Sequence, residues 1–76
     1  MTLSEFQRAV VDEFGDGQGR ALLRDLVVRS LGDRTPQQAL DSGQPPAAVW
    51  RALCEEMDVP PPRRYGVGIA EPKAGS

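Results

Sequence analysis

The chain has 76 residues, a net charge of −2, one cysteine and no histidine. That bounds it to one small domain, excludes an intramolecular disulfide, and removes the Cys/His sets on which zinc sites are usually built. Residues 1–59 carry six Arg and ten Asp/Glu, or −4, whereas residues 60–76 carry Arg63, Arg64 and Lys73 against Glu71, or +2; an acidic body of this kind is repelled by phosphate backbones.

Thr2-Leu3-Ser4-Glu5 has the capping-box pattern and opens a predicted helix from Leu3 to Phe14. Leu3, Phe6, Val10 and Phe14 form one apolar stripe, Glu5, Arg8 and Asp12 lie opposite, and Gly15 is a natural left-handed stop. A second helix is predicted from Asp16-Gly17-Gln18-Gly19 to Leu31, closed by Gly32. Its Leu22, Leu23, Leu26, Val27 and Leu31 cover about half the circumference, wider than the roughly 100° stripe of a surface helix, which places it centrally.

Thr35-Pro36-Gln37-Gln38 combines an N-cap, a proline at the first helical position and a second capping box, and Gly43 ends this short third helix. Gln44-Pro45-Pro46 turns a corner into a fourth helix, Pro46 to Met57, with Val49, Trp50, Leu53, Cys54 and Met57 on one face. From Pro60 the chain reads PPPRRYGVGIAEPKAGS, without helical or strand periodicity. The expected architecture is all-α: a four-helix domain over residues 2–59 with a helix-turn-helix-like corner, and a flexible, disordered Pro/Gly-rich tail over 60–76. The expected core is Phe6, Phe14, Leu26, Val49, Trp50 and Leu53. No segment approaches the roughly 20 apolar residues of a membrane span, and no signal-like N-terminus is present, so a cytoplasmic protein is expected.

Ala39, Gly43 and Val49 match the spacing of a DNA-reading helix-turn-helix, in which a small residue permits a close crossing, a glycine turns the chain and a branched residue anchors the second helix. Gln38, Ser42 and Gln44 are polar where that motif wants apolar residues. The first turn of the second helix offers Pro45, Pro46, Ala47 and Ala48, none of which can hydrogen-bond a base edge through its side chain. DNA is therefore the alternative partner and not the favoured one.

Glu55, Glu56 and Asp58 crowd a helix C-terminus, where negative charge opposes the dipole. Either Arg63 and Arg64 fold back to neutralise them, the reading favoured here, or they form an acidic docking surface for a basic partner. Trp50 reads as a core anchor, with an interface hot spot as its functional alternative. Cys54 reads as a buried small hydrophobe between Leu53 and Glu55, and PPPRR as a helix terminator sooner than a polyproline ligand. With no histidine and no nucleophile beside a base, no enzymatic activity, cofactor or metal is expected.

Leu3-Ser4-Glu5-Phe6, Phe14-Gly15, Leu31-Gly32-Asp33-Arg34-Thr35, Gln38-Ala39-Leu40, Gly43, Val49-Trp50-Arg51-Ala52-Leu53-Cys54 and Asp58-Val59-Pro60 together resemble a small actinobacterial family classed as a domain of unknown function. The resemblance spans about residues 2–64. It implies a small cytoplasmic protein often encoded beside the genes for RecA and its regulator RecX, and supplies no activity, catalytic residue or cofactor. Where family members often carry an Asp-His-Val-Leu-like segment, this chain has Asp25-Leu26-Val27-Val28, so no role of that histidine carries over. The expected function is a noncatalytic protein-interaction module tied to recombination or repair. It would act as a monomer or weak dimer, with Glu55, Glu56, Asp58, Arg63 and Arg64 as the contact surface for a protein partner of unknown identity.

Overall fold

The structure, a computed structural model, describes residues 1–64. Among them are four α-helices, α1 (Leu3–Phe14), α2 (Asp16–Asp25), α3 (Pro36–Asp41) and α4 (Pro46–Glu56), with 3-10 turns at Arg29–Leu31 and Pro61–Arg64. The only extended pairing among these residues is an isolated bridge between Val28 and Arg34.

The Thr2 capping box forms as the sequence dictates: the Glu5 amide donates to Thr2 Oγ1 at 3.1 Å and the Thr2 amide to Glu5 Oε1 at 2.7 Å. α1 buries Phe6, Ala9 and Val10, while Leu3, expected on the same stripe, is 49% exposed. Leu3 sits at the first position of the helix, three residues before Phe6, the first residue that α1 buries. Gly15 alone joins α1 to α2. Its φ of 87° and ψ of 160° lie where glycine alone is unstrained, and it accepts from the Gly19 amide while donating to Val11 O, both at 2.8 Å.

α2 ends at Asp25, six residues before the expected Leu31. Leu26 turns extended (φ −80°, ψ 115°), and the Val28 amide donates to Arg34 O at 2.9 Å. Val27 is 53% exposed and Val28 fully buried, an in-out alternation suited to a β-branched pair that loses rotamer freedom in a helix. The wide apolar stripe was thus a helix plus an extended step plus a 3-10 turn that buries Leu31. It follows that α2 is not central, since among its residues only Gly19 is buried. The centre belongs to α4, which buries Val49, Trp50, Ala52, Leu53 and Cys54.

The Thr35 capping box is complete, the Gln38 amide reaching Thr35 Oγ1 at 3.1 Å and the Thr35 amide Gln38 Oε1 at 2.9 Å. α3 closes in a Schellman motif: Gln44 N donates to Ala39 O and Gly43 N to Leu40 O, each at 3.0 Å, with Gly43 left-handed at φ 98°. α4 stops the same way. Val59 N reaches Cys54 O at 2.9 Å, Asp58 N reaches Glu55 O at 3.3 Å, and Asp58 occupies the left-handed position at φ 57°. Val59, the residue after it, is buried against the core, the apolar contact that accompanies such a cap.

Of the expected core, Phe6, Val49, Trp50 and Leu53 are buried, and Phe14 and Leu26 are partly buried against them. The Phe6 and Phe14 rings both meet Trp50 edge-on, at centroid distances of 6.3 Å and interplanar angles of 90° and 66°. The sequence reading places the domain at residues 2–59 and the tail at 60–76. Pro60–Arg64 were assigned to the tail, yet the 3-10 turn at Pro61–Arg64 packs on α1, because the Trp50 indole needs an acceptor that this segment supplies. The rest of the expected tail, residues 65–76, lies outside the described residues.

Candidate interaction surface

α4 directs its apolar face inward, so its last turn places Glu55 and Glu56 in solvent, and the left-handed cap turns Asp58 outward beside them. The exposed C-terminal carbonyls of the helix carry partial negative charge at the same spot. Among the described residues no ion pair reaches any of the three carboxylates.

Arg63 and Arg64 do fold back, but onto other partners, which corrects the favoured reading. Arg63 Nη2 lies 2.7 Å and Nε 3.2 Å from the same Glu13 oxygen, Oε2. The Arg64 Nε donates to Val59 O at 2.9 Å, and the Trp50 Nε1 donates to Arg64 O at 2.7 Å. Glu13 was missed in the sequence although a signal for it exists. It falls three residues after Val10 and seven after Phe6, on the buried side of α1, and its side chain is only 14% exposed. A carboxylate on an apolar face calls for a cationic partner.

The Ala39, Gly43 and Val49 triplet does build a tight corner, with Ala39 and Val49 fully buried and Gly43 left-handed. The exposed positions of α4 are Ala47, Ala48, Arg51, Glu55 and Glu56, so the outward face offers one cation against two carboxylates. Trp50 points into the core, and its only polar atom is satisfied. Cys54 is likewise sealed. Burial pushes its thiol up to about 12 against the lowering by Arg64, with smaller upward pushes from Glu13 and Glu55, so it carries no thiolate at neutral pH.

A second surface feature, which the sequence reading did not single out, lies between α1 and α2. Gln7, Val10, Val11, Asp16, Arg20 and Leu23 line an open concavity of about 310 Å³, rimmed by the Asp16–Arg20 pair at 3.4 Å. Val11 and Leu3 are the exposed apolar residues of α1. Among the described residues no group of three or more His, Cys, Asp or Glu side chains is placed to hold a metal ion, and no helix is long and apolar enough to cross a membrane.

Residues 1–62 match the family described as "Protein of unknown function (DUF3046)". No curated protein and no solved structure matches the chain.

Proposed function

The chain belongs to this family of proteins of unknown function, and from that premise we propose a noncatalytic protein-interaction module of the cytoplasm that meets a basic partner at the C-terminal end of α4. The observation that carries this reading is the divergence of charges there. Glu55, Glu56 and Asp58 stand exposed at the negative pole of a helix, while the nearby Arg63 is committed to Glu13 and Arg64 to Val59 O. A concentrated, solvated negative patch costs the fold a little and steers a cationic surface strongly. The placement in recombination or repair rests on the sequence resemblance alone.

The alternative, a helix-turn-helix DNA binder, is favoured by one observation, the geometry of the Ala39–Gly43–Val49 corner. It is opposed by the acidic outward face of α4 and the absence of base-reading side chains in its first turn.

The two separate in one experiment. Tagged full-length protein is incubated with native lysate with and without nuclease, beside a Glu55→Lys, Glu56→Lys variant. A protein partner retained after nuclease and released by the charge reversal is expected. Identical capture by both proteins would overturn the role given to the acidic end of α4, and capture abolished by nuclease together with duplex affinity that falls steeply with salt would replace the proposal with the alternative.

A further inference from the structure

Pro60–Arg64 contributes no buried side chain: Pro60, Pro61, Pro62 and Arg63 are exposed and Arg64 is partly so. Its hold on the helices is polar. The Arg64 carbonyl takes the Trp50 indole proton at 2.7 Å, and Arg63, itself 62% exposed, reaches across to Glu13 on α1 at 2.7 Å. What it covers is of the opposite character. Trp50 is 5% exposed, and Phe6 and Phe14 meet its ring.

The α4 cap is complete before this segment begins, because Val59 is already buried and its amide already bonded to Cys54 O. Lifting Pro60–Arg64 therefore breaks no helix and removes no core side chain. Proteins open locally in units of this kind, at a smaller free energy than global unfolding.

We infer that Pro60–Arg64 is a hinged strap, latched by Glu13 and Arg63, that opens while the four helices stay folded and so bares the Trp50 indole N–H and the Glu13 carboxylate together. The inference rests on the strap's own contacts and stands whether or not the acidic end of α4 binds a partner. Open, the α1–α4 seam offers one aromatic donor beside one carboxylate, the chemistry that takes a backbone carbonyl and an adjacent guanidinium, as the strap itself supplies when closed.

The single tryptophan makes the test direct. Hydrogen exchange of the Trp50 indole proton and of the Leu53 backbone amide is followed by NMR in the full chain, across urea concentrations below the unfolding transition and from low salt to roughly 1 M, where the Debye length falls to about 3 Å. The indole is expected to exchange faster than the Leu53 amide and independently of urea, as local opening requires. Its exchange should rise about two- to five-fold with salt and in Glu13→Gln, the range that loss of an ion pair open to solvent on its arginine side allows. The swap Glu13→Arg with Arg63→Glu should restore protection. Equal exchange and equal urea dependence of indole and amide, or indole exchange unmoved by salt and by Glu13→Gln, would overturn the strap.

Discussion

Asp58 holds a backbone conformation that its side chain does not favour. At φ 57° it takes the position after α4 that Gly43 takes after α3. The left-handed conformation costs an L-residue roughly 1–2 kcal/mol, less for Asp, and a carboxylate at a helix C-terminus adds an unfavourable dipole interaction of about 0.3–1 kcal/mol. Asp58→Gly relieves both and loses part of the gain to chain entropy in the unfolded state. The expected result is a stabilisation of about 0.5–1 kcal/mol, at about 4–8 °C of melting temperature per kcal/mol, whereas Asp58→Ala should melt below the wild type. A melting temperature unchanged or lowered in Asp58→Gly would show that the aspartate carries a compensating contact. The acidic crowding around Asp58 was readable from residue types alone; the left-handed backbone was not, because no glycine marks it. The destination of Arg63 was hidden for a related reason. Its partner Glu13 is 50 positions away, and proximity along the chain pointed to Glu55 and Glu56 instead.

At the scale of elements, the helices that begin with a capping box were legible almost to the residue. Thr2 and Thr35 satisfy their amides locally and need no tertiary help. The error in α2 came from periodicity: Leu22, Leu23, Leu26, Val27 and Leu31 fit a helical stripe, yet the Val27–Val28 pair pulls the backbone extended once Val28 finds the core. What brings α2 against α1 is instead a glycine. A Cβ on Gly19 would lie 2.7 Å from Val10 Cγ1, and Val10 is both buried and β-branched, so it cannot swing aside cheaply. Gly17, in the same helix, has open space around it. Helix propensity favours Ala over Gly by about 1 kcal/mol at either site. Gly17→Ala should therefore raise stability by up to about that amount, and Gly19→Ala should lower it by roughly 1–3 kcal/mol through overpacking. Urea denaturation of both, with Val10→Ala and Val10→Ala/Gly19→Ala to close a double-mutant cycle, checks the contrast. Stabilisation by both alanines would mean that α1 and α2 can separate without loss.

For the molecule as a whole, the question is where the body ends. Composition changes at Pro60, and reading that change as a boundary overlooked the demand that a buried Trp50 makes for an acceptor. A small domain has little stability to spare, so contacts made by five residues weigh heavily. A chain ending at Val59 leaves the indole N–H without its protein acceptor, the largely buried Glu13 without its cation, and one edge of Trp50 open to water. A chain ending at Arg64 keeps all three interactions. A net hydrogen bond contributes about 1 kcal/mol, and an unpaired, largely buried polar group costs more. The shorter chain should thus be less stable by about 2–3 kcal/mol, a deficit of roughly 8–24 °C in melting temperature for a domain of this size. Thermal unfolding of the two chains side by side decides it, and coincident transitions would return the boundary to Val59. A deficit within the expected range would have a second consequence. An edge whose loss costs less than global unfolding can release on its own, so the segment that caps the Trp50 indole without adding a core side chain is also the part of the body most easily exchanged for another chain.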